Sequence, residues 1–239
     1  MQNLLALETS GARCSVCLLI DGTRFGITEH VQRRHNELLL SMIEATVHKA
    51  GLTQRELASR LDVVAFGCGP GSFTGVRIAA AAAQAIAFAA GAGVVPVVSS
   101  RTLALAVAAS GSNPGRRGVI TLIRSRKDLY YFAMHRIVDG IPDTVRADQL
   151  CARLPLLPEI VQLDDWTAVG SRPDWWPENA PVDETITAGA DEVCTLALAA
   201  LRTGAALDPA DALPLYLTGD SPWRVSVPPQ NPDAQVTDL

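Results

Sequence analysis

The chain predicts an α/β fold made of two units, each a mixed sheet flanked by helices. Three observations carry that reading. After an opening meander, short apolar runs alternate with stretches of helical period. A turn-rich linker, "GSNPGRRG" over 111–118, interrupts this rhythm. Beyond it the rhythm partly repeats, so two similar halves are suggested although no short repeat period shows. The predicted units are residues 1–110 and 111–218. The aperiodic, proline-bearing tail 219–239 is expected to be mobile.

"LLALETS" and "CSVCLLIDGTRFGITEHV" read as three strands, the last two joined by an Asp21-Gly22 turn. A helix follows from His35 to Ala50, closed by Gly51. Thr53-Gln54-Arg55-Glu56 has the spacing of a capping box and opens a short second helix. "DVVAFG" is a continuous apolar run, as in a strand buried on both faces. A glycine-rich loop then leads into an alanine-rich helix that Gly91 stops. "VVPVVS" reads as a strand and "SRTLALAVAAS" as a helix, completing the first unit. The second unit offers the strands "GVITLI", "DLYYFAMHRI" and "WTAVG". It also offers a short helix near Asp148 to Arg153, and "ADEVCTLALAALRTG" as a final helix closed by Gly204.

Composition bounds the function. Of 239 residues, 48% are hydrophobic and 19% charged, a globular balance with a sizeable core. A formal charge of −5 supplies no global positive field for nucleic acid. The N-terminus lacks the basic head and long apolar run of a signal peptide, and Arg77 and Gln84 interrupt the alanine helix. A cytoplasmic protein with no membrane partner is expected. The five cysteines read as buried thiols; Cys14 and Cys17 would face opposite sides of a strand, which suits a metal site badly.

The loop Gly69-Pro70-Gly71-Ser72-Phe73-Thr74-Gly75 invites a phosphate reading, yet three templates miss. Val76-Arg77 stands where a Walker A loop needs lysine, Thr74 where the dinucleotide fingerprint needs glycine, and Pro70 where the nucleophile elbow needs glycine. Geometry is what survives. Gly69 and Gly71 permit tight turns, Pro70 stiffens the bend, and Ser72 or Thr74 can cap the helix. A tight structural turn and an anion site at the helix start, with Arg77 nearby, both remain open.

The string "GPGSFTGVRIA" resembles the GPGSFTGLRIG motif of the bacterial TsaB (YeaZ) family. "LLALETSGARCSVCLL", "RRHNELLLSMIEATVHKAG" and "LPLYLTG" resemble further family elements in the same order, densely from Leu4 to about Ala109 and thinly afterwards. The resemblance implies a two-domain fold of the actin-like ATPase and sugar-kinase (ASKHA, ribonuclease H-like) superfamily. It also implies a non-catalytic role in making threonylcarbamoyladenosine (t6A) on tRNA, beside a catalytic TsaD-type paralogue and a TsaE-type ATPase. A homodimer is expected where the partner is absent, and tRNA contact is expected to be indirect. Three positions depart from the family pattern: Glu8 replaces the superfamily's aspartate, Arg124-Ser125-Arg126 replaces Asp-Ala-Arg, and Thr218 replaces an arginine.

No catalytic set emerges from the residues. No two of His30, His35, His48 and His135 lie four apart, so no metal ligand pair shares a helix face. The rival reading is a free-standing ATP-dependent phosphotransferase or hydrolase of the same superfamily. It would use Glu8 and the Thr9-Ser10 turn at phosphate, and a glycine pair for adenosine; residues 111–218 contain no Gly-Gly, and Glu8 is expected to be a solvated strand-end carboxylate instead. No cofactor is expected, with weak nucleotide binding left open. Arg33-Arg34, Arg116-Arg117 and Arg124-Ser125-Arg126-Lys127 are expected to be solvated rather than a strip for tRNA. All four tryptophans, Trp166, Trp175, Trp176 and Trp223, lie in the second half and are expected to be lids over a core, base stacking being the alternative.

A helical wheel places Ile78, Ala79, Ala82, Ala83, Ile86 and Ala90 on a face suited to the sheet. Arg77, Ala80, Ala81, Gln84 and Phe88 then lie opposite, too apolar for solvent. The first helix has a similar surplus, over Leu38, Leu39, Leu40, Met42, Ile43, Thr46 and Val47. Leu39, Ile43, Ala80, Ala81, Gln84 and Phe88 are therefore the predicted contacts with the partner's matching helices.

Overall fold

The computed structural model describes residues 2–30, 34–112, 115–157 and 162–217. Two five-stranded sheets organise these residues. The first contains β1 (Leu4–Glu8), β2 (Arg13–Ile20), β3 (Thr23–His30), β4 (Val63–Gly69) and β5 (Gly93–Val98), in the order β3-β2-β1-β4-β5. The second contains β6 (Gly118–Arg126), β7 (Leu129–Val138), β8 (Ile141–Cys151), β9 (Trp166–Gly170) and β10 (Val182–Asp183), in the order β10-β9-β6-β7-β8. In each, a strand pairs antiparallel with its hairpin neighbour on one side and parallel with a later strand on the other. The ASKHA-type, ribonuclease H-like architecture expected from the sequence is present.

Helices α1 (His35–Lys49), α2 (Gln54–Arg60) and α3 (Phe73–Ala90) lie between β3 and β5 in the chain. They cover the face of the first sheet that carries Leu5, Leu7, Val16, Leu18, Val64 and Phe66. Leu4, Ala6, Cys17, Leu19, Val63 and Ala65 point the other way and meet α5 (Ala190–Leu201). This strict alternation explains why β1 and β4 read as unbroken apolar runs. α4 (Ser99–Ser110) uses Leu103, Ala104 and Val107 to cover Val119 and Val169 of the second sheet. The chain thus crosses twice. The helix after β5 serves the second sheet, and the helix after β10, drawn from the stretch 111–218, serves the first.

Local signals act where the sequence places them. Thr53 and Glu56 close the capping box, with Glu56 N–H to Thr53 Oγ1 at 3.2 Å and Thr53 N–H to Glu56 Oε2 at 2.8 Å. Gly91 ends α3 in the left-handed region, at φ 66°. α3 is long and apolar enough to cross a membrane by length and composition, but Val76, Ala79, Ala80, Ala83 and Ala87 are buried within this chain.

The expected helix near Asp148 to Arg153 is a strand. β8 continues to Cys151, pairing Gln149, Leu150 and Cys151 with Phe132, Tyr131 and Tyr130. Irregularities in the β7–β8 register at Met134 break the alternation of side chains, which removes the period-two signal a strand would show. Trp175 and Trp176 lie over the outer face of the second sheet, where Trp176 is buried and donates Nε1–H to the Ala180 carbonyl at 3.1 Å. Trp223, Arg33, Thr218 and the tail 219–239 lie outside the described residues.

Candidate functional site

The glycine loop owes its composition to how closely two backbones approach. β4 ends at Gly69 with φ +102°, a conformation that L side chains rarely adopt. The following residues run against the turn after β1. Ser72 N–H donates to the Ser10 carbonyl at 2.7 Å, and Thr9 Oγ1 donates to the Gly75 carbonyl at 2.7 Å. A Cβ on Gly71 would sit 2.5 Å from the Ser10 oxygen, and one on Gly75 would collide with the Thr9 oxygen. Ser72, rather than Thr74, caps α3, accepting from Gly75 N–H at 3.2 Å. Pro70 follows a cis peptide bond and, with Phe73 and Thr74, lines the cleft between the sheets.

Arg77 is taken up locally. Its guanidinium donates to the Phe73 carbonyl at 2.7 Å and lies 3.3 Å from the centre of the Phe73 ring, with the Tyr216 ring 4.9 Å away. The late segment is tied to the same place by Leu215 N–H to the Cys68 carbonyl, at 2.8 Å. Leu215 and Tyr216 were not among the predicted site residues. Their signal in the sequence was the "LPLYLTG" element itself.

Between the sheets lies a cleft of about 670 Å³, walled by the Ser10–Arg13 turn, the glycine loop, Arg124 and Ser125 of β6, and Thr187. Glu8 is not solvated as expected: it ends a strand buried along its whole length, closes the floor of the cleft and is 3% exposed. One carboxyl oxygen accepts from Ser10 N–H at 2.6 Å; the other has no hydrogen-bond partner and occupies the space that a Cβ on Gly67 would take. Burial pushes the Glu8 carboxyl up, against the lowering effect of the Ser10 and Thr9 hydrogen bonds. Among the described residues no group of three His, Cys, Asp or Glu side chains gathers to bind a metal. His35 is turned inward, its Nε2 lying 3.1 Å from the Gly11 carbonyl, and His135 is buried in the second sheet.

The predicted helix seam is redistributed. Leu39 and Ile43 on α1 and Ala80 on α3 are buried in the chain's own core, so they do not line an exposed face. The buried arc of α3 runs through Val76, Ala79, Ala80, Ala83 and Ala87, while Ile78, Ala82, Ile86 and Ala90 are half-buried beside it. The arc is rotated and widened because α3 packs on the sheet and also meets α1, α2 and the turn at Pro209–Asp211. What remains outside along 76–90 is Ala81, Ala85, Phe88 and Ala89, with Gln84 half-buried; Phe88 is 83% exposed. On α1 the surplus reduces to Leu40, 66% exposed, a residue within the predicted apolar arc but not among the predicted contacts. A groove of about 840 Å³ runs beside this end of α3, bounded by Ala81, Gln84, Phe88, Leu207 and Pro209.

Of the basic residues, Arg34 pairs with Glu37 at 2.8 Å and Arg117 with Asp165 at 3.1 Å, both at the surface.

Comparison with known proteins places these features in a family. Residues 27–168 match the family model described as TsaD, tRNA N6-adenosine threonylcarbamoyltransferase. The chain is similar to the tRNA threonylcarbamoyladenosine biosynthesis protein TsaB of Haemophilus influenzae, 37% identical over 56% of this chain. That match spans about half (54%) of the relative's length. It is 27% identical to the TsaB of Escherichia coli over 92% of this chain and 96% of the relative. The solved structure of YeaZ from Pseudomonas aeruginosa superposes with a TM-score of 0.78 at 30% identity, covering 91% of this chain and all of that one. With the glycine loop zipped to the first turn, the doubled sheet and a match along nearly its whole length, the chain belongs to the TsaB (YeaZ) family.

Proposed function

We propose that this chain serves t6A biosynthesis on tRNA as a non-catalytic subunit that binds and stabilises a TsaD-type threonylcarbamoyltransferase. The names of its relatives support the pathway. The observation that carries the binding role is the apolar surface left outside on the two helices, Leu40 on α1 and Phe88 on α3, with a groove beside Phe88. Large apolar side chains so placed lose contact with water only when another surface covers them, and the alanines of α3 let a partner helix approach closely. The occupant is the TsaD-type paralogue, with a second copy of this chain in its place when that partner is missing. A TsaE-type ATPase joins the pair, tRNA is held mainly by the partners, and the assembly works in the cytoplasm.

The site between the sheets supports the non-catalytic reading. Glu8 is sequestered and its carboxyl pushed up by burial, and three N–H groups of the glycine loop are taken within the protein, Gly69 by Ser99, Ser72 by the Ser10 carbonyl and Gly75 by Ser72. The superfamily phosphotransferase reading predicts steady ATP turnover by the pure chain that Glu8→Ala abolishes.

The binding role is tested by Ala81→Arg and Phe88→Glu in a co-purification with the TsaD-type paralogue of the same organism. Both substitutions fall on the exposed side of α3, so folding stability should stay within about 0.5 kcal/mol of wild type. Recovery of the partner should fall at least tenfold. Unchanged recovery from folded variants would place the interface elsewhere.

A further inference from the structure

The return of α5 to the first sheet brings together two cysteines that the proposed function does not use. Cys17 lies within β2 on the face turned toward α5, and Cys194 lies just past the first turn of that helix. Both are fully buried in the same apolar cluster. The Cys17 thiol donates to Asp191 Oδ1 at 3.3 Å, and Asp191 stands three residues before Cys194, one turn away on the same helix. The Asp191 carboxylate accepts the Cys17 proton in that bond and keeps Cys17 in its thiol form, which leaves Cys194 as the sulfur free to ionise. Cys14, three residues away, points to the opposite face of the strand and packs in the cluster beneath α1. All five cysteines are free.

We propose that Cys17 and Cys194 form a redox-sensitive staple: under oxidising conditions a disulfide joins them and ties α5 to β2. The oxidant is a peroxide. The Cys194 thiolate attacks one oxygen of hydrogen peroxide and the O–O bond breaks. Sulfur becomes a sulfenic acid, and the other oxygen takes a proton and leaves as water. The Cys17 sulfur then attacks the sulfenic sulfur, the S–O bond breaks, and the departing hydroxide leaves with the Cys17 proton as a second water. Two thiols and one peroxide yield one disulfide and two waters; the sulfurs lose the two electrons that the peroxide gains.

The position of the staple gives it an effect. The closed loop from residue 17 to residue 194 contains the whole second sheet, so the crosslink constrains the unfolded chain strongly. α5 is entered directly from Thr187 and Ala188, which line the cleft, so the bond also anchors that wall to the first sheet. Since both sulfurs are buried, reaction waits on local lifting of α5 and is slow beside that of an exposed thiol.

The test uses the full chain, held in excess hydrogen peroxide well below its melting temperature, alkylated and mapped by mass spectrometry. The expected result is a fall by two in titratable thiols from five, with a peptide linking Cys17 to Cys194. Dithiothreitol should restore all five, and the oxidised chain should melt higher than the reduced one. Cys17→Ser and Cys194→Ser should each remove the linked peptide, and Cys14→Ser should leave it. Persistence of five thiols, over-oxidation without a crosslink, or a link mapping to another pair would overturn the proposal. The mapping is made on the wild-type chain and so does not depend on any variant folding.

Discussion

The two sheets share one plan, and the difference between them lies in what covers their outer faces. The order β3-β2-β1-β4-β5 of the first is matched by β8-β7-β6-β9-β10 in the second, with the same parallel and antiparallel pairings. The corresponding hairpins turn on Asp21-Gly22 and on Asp139-Gly140, all four residues at positive φ. Gly69 and Gly170 end the corresponding central strands at φ 102° and 108°. Yet the first sheet is covered by α1, α2 and α3, whereas the second is covered by Trp175, Trp176 and neighbouring loop residues. Strand pairing alone therefore sets the plan. The cover differs in kind: three helices leave Leu40 and Phe88 in water, while a tryptophan lid closes the second core.

The largest effects should come where a glycine in either half faces a carbonyl oxygen. Gly75→Val in the first and Gly170→Ala in the second both drive a Cβ into backbone, at Thr9 and Leu122 respectively. Each is expected to cost about 4 kcal/mol or more, read as a loss of the cooperative unfolding transition or a large drop in its urea midpoint. If only Gly75→Val does so, the two loops are not mechanical equivalents.

Next in size is an opposition in pH dependence. The buried ionisable group of the second sheet is His135, its pKa pushed down to about 4 by burial, with the nearby Arg101 charge acting the same way. Between pH 6.5 and about 4 the unfolded chain takes up a proton that the folded chain refuses. Stability contributed by this group is therefore present above pH 6.5 and lost as pH falls, by up to about 3 kcal/mol. Glu8 of the first sheet runs the other way: its carboxyl is pushed up, so the folded chain holds a proton longer and stability falls as pH rises above about 4.5. Urea titrations across pH 4–8 should show His135→Gln losing the acid-side dependence and Glu8→Gln losing the opposite slope. Identical profiles for wild type and both variants would count against this opposition.

A smaller effect separates backbone strain from collision. At Gly69 the nearest atom to an added Cβ is Val76 Cγ1, 3.4 Å away, so Gly69→Ala meets mainly the positive φ. It should cost about 1–3 kcal/mol, less than Gly170→Ala, in thermal melts run side by side. An equal loss in both would mean that the Leu122 contact yields easily.

Much of the first half was legible in the sequence because its signals are local. The capping box at Thr53, the stop at Gly91, the Asp21-Gly22 turn and the apolar runs of β1 and β4 each depend on residues a few positions apart. The glycine loop was legible as a string, and Ser72 as one of two candidate caps. Asp139-Gly140 carried the same hairpin signal in the second half and was passed over, although it marks the repeat directly.

Other features depended on surfaces that form only when distant segments meet. β8 runs to Cys151 because β7 offers its edge, whatever the local pattern suggests. The wheel for α3 assumed one neighbour, and the added contacts with α1, α2 and Pro209–Asp211 turned Ala80 inward while leaving Phe88 outside. Leu39 and Ile43 went to the sheet for the same reason. The sequence by itself determined the strands of the first sheet and β6, β7 and β9 of the second, the Asp21-Gly22 turn, the Thr53 capping box and the family to which the loop belongs. Tertiary structure decided which sheet each crossing helix covers, that Cys17 meets Cys194, and which apolar side chains stay in water. Local propensity acts over a turn or a hairpin, whereas burial depends on which face is still uncovered when the chain returns to it.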